Sequence, residues 1–169
     1  MAISVLGIDP GSRITGYGII EITSNHQLTH IAHGSIPVKS TDLAEQLKKI
    51  YTAIDEIIAK YRPQEVSVER IFMHENASSA LKLGQARGVA IVAASQQAPL
   101  FEYTARQVKL AVAGYGAATK EQIQLMVCRL LKLTEKPAVD AADALAIAIC
   151  HAHSRKMNAV TKTGLSIKD

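Results

Sequence analysis

The apolar pattern of the chain changes near residue 40, and this change restricts the folds that are open to it. Three strand-like segments come first, at 3–9, 15–22 and 28–38, separated by the turn signals Pro10-Gly11-Ser12 and Asn25-His26. Helical spacing then alternates with two short strands, expected at 65–69 and 100–104. A meander followed by alternating helices and strands predicts an α/β fold, with one mixed five-stranded sheet flanked by helices.

Helical periodicity is clearest between residues 42 and 60. Asp42 followed by Glu45 has the spacing of a capping box at the helix start. Apolar residues then recur in steps of three and four, at Leu43, Leu47, Ile50, Ile54 and Ile57. Later helices are expected at 76–97, 105–112, 119–131 and 137–151.

Composition indicates one globular domain. The 169 residues are 48% hydrophobic, which is enough for a substantial core. We predict a single domain over residues 1–153 and a disordered polar tail over 154–169.

A net charge of +4 permits a nucleic-acid partner without requiring one. Cys128 and Cys150 match no zinc spacing, and no apolar run is long enough for a membrane span, so a cytoplasmic protein with reduced thiols is expected.

Four acidic residues stand at the ends of apolar strands or inside an apolar helix. They are Asp9, Glu69, Asp140 and Asp143. Ionised carboxylates that are buried near one another are costly unless a cation gathers them. Such hard oxygen ligands suit Mg²⁺ or Mn²⁺. Three or four of them around two ions about 4 Å apart would form a clamp for phosphodiester hydrolysis.

Each acid also has an ordinary explanation. Asp9 precedes Pro-Gly and could be a turn residue, while Glu69 could pair with its neighbour Arg70. Asp140 lies in the first turn of its helix, where acids favour the helix dipole. Asp143 is harder to explain in this way, because it lies one turn further into a helix that is apolar on nearly every side. Only the four acids taken together therefore indicate a metal site.

Three segments within residues 1–153 resemble the signature motifs of one nuclease family. The first is Gly7-Ile8-Asp9-Pro10-Gly11-Ser12 with its continuation to Gly18. The second begins at Glu69-Arg70-Ile71-Phe72-Met73 and extends to Gly88, and the third spans residues 140–148. Together, and in this order, they resemble the RuvC family of Holliday-junction resolvases.

This resemblance implies a ribonuclease-H-like fold and a homodimer that nicks two opposed strands of a four-way DNA junction. It carries over Asp9, Glu69, Asp140 and Asp143 as catalytic, metal-binding acids, with Mg²⁺ as cofactor, Mn²⁺ as substitute and two ions per site. It also implies cooperation with the RuvA–RuvB branch-migration complex. Phe72 matches a position that stacks on bases at the junction centre, although core packing is the ordinary role of a phenylalanine.

Basic residues are candidates for phosphate contacts. They are Arg13, Lys82, Arg87, Arg106, Lys109 and Lys120. Lys109 and Lys120 resemble positions that the family uses near the scissile strand, and Lys120 also falls at a predicted helix start, which favours phosphate.

Gly114 and Gly116 would let the loop between Lys109 and Lys120 close on DNA. Small residues in the helix predicted at 76–97 make it the candidate dimer face. His151 and His153, beyond the acidic stretch, are expected to be surface or supporting residues.

Three alternatives remain open at this point. The segment from Gly7 to Ser12 also resembles the first phosphate motif of actin-like and sugar-kinase-like phosphotransferases, although 169 residues is short for their two domains. A junction-binding protein without activity would gain nothing from four carboxylates facing phosphate. A related nuclease that acts on RNA or on other branched DNA is the third alternative.

Overall fold

The computed structural model describes residues 2–71 and 77–164, with side chains described up to residue 155. The described elements alternate much as the sequence predicts. They are β1 (Ile3–Asp9), β2 (Ile14–Ile22), β3 (Leu28–Pro37), α1 (Leu43–Tyr61), β4 (Glu65–Arg70), α2 (Ala77–Ser95), β5 (Leu100–Thr104), α3 (Ala105–Ala113), α4 (Lys120–Leu131) and α5 (Val139–Gly164).

The strands form one mixed sheet in the order β3-β2-β1-β4-β5. The first three strands are an antiparallel meander, because the connections between them are short. β4 lies parallel to β1, and β5 lies parallel to β4, since helices carry the chain back between them. The predicted five-stranded mixed sheet flanked by helices is confirmed.

The core has two layers, one on each face of the sheet. Alternation along β1 sends Val5 to one face and Leu6 to the other. The Val5 layer packs under α3, α4 and α5, and the Leu6 layer packs under α1 and α2. β1 is central in the sheet, so the residue at its end emerges where both layers meet solvent.

α5 approaches the sheet closely enough for main chains to touch. A Cβ atom added to Gly7 would lie 2.0 Å from the Ala144 carbonyl oxygen, and one added to Gly16 would lie 2.0 Å from the Asp140 carbonyl oxygen. At both positions only glycine leaves room for the helix. The first turns of α5 are therefore held directly against β1 and β2.

Two details of the helices differ from the sequence-based predictions. The end predicted near residue 151 for the last helix is wrong, because α5 continues to Gly164. Two contacts hold its backbone beyond the predicted end: Ser154 Oγ donates to the Cys150 carbonyl at 2.9 Å, and Arg155 pairs with a Glu65 oxygen at 2.6 Å. Residues 165–169 of the predicted tail lie outside the described residues.

The capping box predicted at the start of α1 is incomplete. Asp42 does cap the helix, accepting a hydrogen bond from the Ala44 N–H at 2.8 Å. Glu45 instead accepts the Ser40 hydroxyl at 2.9 Å, so the reciprocal half of the box is absent from this pair. The competing Ser40 hydroxyl explains the difference.

Both cysteines are free thiols, as the sequence suggested. Among the described residues, no helix combines the length and the apolar character needed to cross a bilayer. The predicted cytoplasmic location stays a prediction.

Candidate active site

A cavity of about 400 Å³ opens at the edge of the sheet where β1 and β4 end. Asp9 is the last residue of β1, and Glu69 is the penultimate residue of β4. Because these neighbouring strands run parallel, with Ile8 opposite Val68, the next residue of each emerges at the same edge. Both carboxylates line the cavity.

α5 brings the other two acids to this edge. Asp143 lines the cavity, and Asp140 lies one turn earlier, in the first turn of the helix. Their placement follows from the glycine contacts, because Gly16 packs against Asp140 main-chain atoms and Gly7 against those of Ala144. Asp140 is not among the cavity-lining residues, but its charge reaches both Asp9 and Asp143.

The acids perturb one another strongly. Burial, reinforced by the charges of Asp143, Glu69 and Asp140, raises the pKa of Asp9 from 3.8 to about 8. Burial also raises the pKa of Glu69, with a further contribution from Asp143. The pKa of Asp143 is raised as well, chiefly by burial. Burial and mutual repulsion therefore both work against the ionised form of these carboxyls.

Two lysines partly offset the negative charge. Lys120, next to the cap residue Thr119 at the start of α4, places its ammonium 3.4 Å from Asp143 Oδ2. The Asp143 charge raises the pKa of Lys120, so this lysine stays protonated. Lys109 also lines the cavity, and its positive charge limits the rise in the pKa of Glu69 and of Asp143. The cavity is thus lined by three carboxyl groups and two lysine ammonium groups.

The donor set suits a hard divalent cation. All four acids offer carboxylate oxygens, and the raised pKa values of Asp9, Glu69 and Asp143 reflect a need for positive charge that an ion would meet. Within residues 2–71 and 77–164, however, no three acid, imidazole or thiol groups converge closely enough to hold one ion as they stand. An ion would therefore have to draw the carboxylates together and compete with Lys120 for Asp143.

A buried threonine braces the turn that follows Asp9. The Thr15 side chain is fully buried, and its Oγ1 donates to the Gly11 carbonyl and accepts from the Gly11 N–H, both at 3.3 Å. These bonds fix the Pro10-Gly11 turn against the start of β2. This role of Thr15 was not predicted, although a threonine among apolar strand residues close to a turn is a usable signal.

The predicted phosphate contacts divide into separate groups. Lys109 and Lys120 line the acidic cavity, while Arg13 and Lys82 line a second cavity of about 450 Å³ between the loop after β1 and the start of α2. Arg106 is exposed, and its side chain packs beside Gly116. Phe72 lies outside the described residues.

Arg87 is also among the basic candidates, and two protein groups occupy its guanidinium. Its Nε donates to the Glu69 main-chain carbonyl at 3.0 Å, and its NH2 donates to Glu102 Oε1. Only 18% of the side chain is exposed. These partners lie on two different strands and could not be recognised from the sequence.

His151 belongs to a buried cluster at the opposite end of β4. The ring is 1% exposed, so the expectation of a surface position is wrong. Its Nδ1 accepts the Tyr103 hydroxyl at 2.7 Å, and its Nε2 donates to Glu65 Oε2 at 2.6 Å. Although burial works against it, hydrogen bonds from Arg155 and His151 lower the pKa of Glu65. This cluster fastens α5 to the sheet.

The mixed sheet, with acids at the ends of β1 and β4 and on the crossing helix α5, defines a nuclease of the ribonuclease-H-like class. The Thermus thermophilus RuvC structure superposes with a TM-score of 0.82 at 34% identity, covering 92% of this chain and 97% of that one. A T. thermophilus RuvC in complex with a Holliday junction substrate gives a TM-score of 0.82 at 32% identity. The yeast mitochondrial resolvase Ydc2, 12% identical with a TM-score of 0.64, shares the fold.

Sequence relatives narrow this class to one family. The family model described as "Crossover junction endodeoxyribonuclease RuvC" matches residues 5–151. The RuvC of Pseudomonas fluorescens is 56% identical over 152 residues, covering 89% of this chain and 87% of its own. The RuvC of Haemophilus influenzae is 56% identical over 151 residues, covering 89% and 79%. The chain belongs to the RuvC family of crossover junction endodeoxyribonucleases, which decides against the phosphotransferase alternative.

Proposed function

We propose that this protein resolves four-way DNA junctions by paired nicks on opposed strands, in recombination and DNA repair. One observation carries the proposal: a cavity in a RuvC-family chain holds three acids with raised pKa values beside two lysines. The relative from T. thermophilus, whose structure contains a Holliday junction substrate, supports the choice of DNA over RNA.

Metal binding is the first part of the mechanism. Asp9, Glu69, Asp140 and Asp143 would hold two Mg²⁺ ions, with Mn²⁺ as a substitute. Bound ions would supply Lewis acidity and lower the pKa of a water molecule. The carboxylates hold this charge in place and need not transfer protons themselves. Support comes from the all-oxygen donor set and from the raised pKa values of three of its members.

Phosphate binding is the second part. Lys109 and Lys120, which line the acidic cavity, would contact the scissile strand and offset the charge that builds on its phosphate. Arg13 and Lys82, in the second cavity, and the exposed Arg106 would hold phosphates of the junction arms. Phe72 would stack on bases at the junction centre, a role that depends on the family resemblance alone.

A homodimer would supply the two sites that paired nicks require, and α2 offers a face for it. Leu81 is 65% exposed and Val92 is 54% exposed on this helix, and no described atom lies within 4 Å of a Cβ built on Gly84 or Gly88. These residues recur at helical spacing, so they form one apolar stripe that a second copy could cover. Val92→Asp should shift the protein to monomer in analytical ultracentrifugation, whereas Lys48→Asp on α1 should not.

The RuvA–RuvB branch-migration complex is the proposed protein partner, and the cytoplasm is the proposed location. Both proposals rest on family membership. Co-purification of RuvA and RuvB with this protein on an immobilised junction, and not on linear duplex, would support the first.

The deciding experiment compares a mobile four-way junction with linear duplex of the same sequence, in Mg²⁺ or in chelator. We expect symmetric nicks in the junction alone, and only with metal. Equal cleavage of duplex would refute structure selectivity, and cleavage in chelator would refute the metal mechanism. Tight junction binding without nicks at any sequence tested would leave a binding protein.

A further inference from the structure

Glu69 lies at a point where its strand is only partly supported. Pairing between β4 and β1 ends with Val68 opposite Ile8, so Glu69 lies one residue beyond that ladder. On the other side, pairing with β5 continues through Glu69 and Arg70. A carboxylate ligand must be held within a fraction of an ångström, so a half-supported strand end needs a further anchor.

Arg87 provides that anchor from α2. Its Nε–H donates to the Glu69 main-chain oxygen at 3.0 Å, while its NH2 group pairs with Glu102 on β5. A guanidinium presents its donors in a fixed planar fork, so holding Glu102 also aims Nε at the carbonyl. Alanines on the buried side of α2, Ala86 and Ala90, bring the helix close enough for this reach.

Glu102 extends the anchor to the residue after Glu69. Its second carboxylate oxygen lies 3.9 Å from Arg70 Nε. The Glu69 carbonyl is therefore bonded directly to Arg87, and the exposed Arg70 side chain adds a longer, weaker ion pair to the same Glu102 carboxylate. The three charged side chains connect α2, β4 and β5 around the strand end.

We propose that Arg87, held by Glu102, is a positioning residue that fixes the Glu69 backbone so that its carboxylate can bind metal. This role replaces the phosphate contact expected of Arg87 and rests on the proposed metal-dependent function. It also separates Arg87 from Lys82, which lies on the same helix but is exposed. A variant of Arg87 should therefore lose metal affinity, and a variant of Lys82 should lose DNA affinity.

The test measures metal affinity and DNA affinity separately. Mn²⁺ binding to the free protein is followed by electron paramagnetic resonance, and junction binding is measured in EDTA over a series of salt concentrations. For Arg87→Ala we expect the Mn²⁺ dissociation constant and the metal concentration for half-maximal nicking to rise ~10-fold, as is typical when a group that orients a metal ligand is removed. Junction affinity should stay within about twofold, with an unchanged salt slope.

Three further variants serve as comparisons. Lys82→Ala should weaken junction binding and lower the salt slope by about 1 without changing Mn²⁺ affinity. Arg129→Ala, which removes an equal charge from the exposed side of α4, should change neither. Arg87→Lys keeps the charge but has no planar fork, so it should leave junction binding unchanged and restore Mn²⁺ affinity only in part.

Unchanged Mn²⁺ affinity in Arg87→Ala, with weaker junction binding, would overturn the proposal in favour of a DNA contact. If circular dichroism shows that Arg87→Ala is unfolded, Arg87→Lys and Glu102→Gln decide, and normal Mn²⁺ affinity in both would overturn it. The Mn²⁺ measurement needs no DNA. A wild-type protein that binds Mn²⁺ but nicks no junction would therefore count against the proposed substrate and leave the role of Arg87 intact.

Discussion

Asp9→Asn separates the charge of Asp9 from its place in the fold. In the metal-free protein the pKa of Asp9 is raised from 3.8 to about 8, so folding favours the protonated carboxyl. Stability from this group is fully present below pH 3.8 and is lost as the pH rises to about 8. Asparagine is neutral throughout, so the variant should not show this loss.

The size of the effect follows from the pKa difference. Each pH unit between the two values corresponds to about 1.4 kcal/mol, which sets a ceiling of ~6 kcal/mol above pH 8. Water in the open cavity and movement of the neighbouring acids will screen part of this cost. We therefore expect metal-free Asp9→Asn to be more stable than wild type by ~1–3 kcal/mol at high pH, and by much less near pH 4.

Urea unfolding in EDTA at about pH 5 and about pH 8.5 measures this difference. Asp55→Asn, on α1 and outside the acidic cluster, is the control and should show no pH-dependent gain. Saturating Mg²⁺ should stabilise wild type by ~2–3 kcal/mol at a hundredfold excess over its dissociation constant, and the variant far less. Nicking should be abolished while junction binding persists. A variant destabilised equally at both pH values, or stabilised by Mg²⁺ as much as wild type, would refute this account of Asp9.

Three further predictions concern the surroundings of the site. Gly16→Ala should lower the free energy of unfolding by ~2–4 kcal/mol, since its Cβ would overlap the Asp140 carbonyl; urea unfolding measures this, and a neutral effect would contradict the contact. Glu65→Gln should cost about 1–3 kcal/mol at neutral pH, because it weakens the bonds to His151 and Arg155. That cost should shrink as the pH falls below 4.5, where wild type loses the same interaction, and a constant cost down to pH 3 would argue against it. Lys120→Met should move the pH midpoint of Mn²⁺ binding upward, because Lys120 lowers the pKa of Asp143; an unchanged midpoint would count against this pairing.

Local features of the fold could be predicted because local interactions decide them. The continuous apolar run of β1 and the Thr119–Gln122 capping box at α4 are both encoded within a few neighbouring residues, and both are present. The acidic positions were also recognisable, because a carboxylate at the end of an apolar strand conflicts with its surroundings. Parallel pairing of β1 with β4 then brings two of them to one edge.

Features that depend on distant partners could not be predicted. Arg87 pairs with groups on β4 and β5, and nothing in its own helix indicates that orientation. The extent of α5 beyond residue 151 likewise depends on contacts such as that of Arg155 with Glu65, which is 90 positions earlier in the chain. At Asp42 the local signal was correct but incomplete, because Ser40 competes for Glu45.

No side chain separates the main chain of α5 from that of β1 at Gly7 or from that of β2 at Gly16. Elsewhere in a core, a larger residue at one position can be accommodated by a smaller one nearby, and the distance between elements drifts as such exchanges accumulate. Here there is no side-chain volume to exchange. The spacing between the acids of α5 and Asp9 is consequently set by the thickness of the polypeptide backbone itself. Core side chains elsewhere can therefore change without altering the distance between these carboxylates.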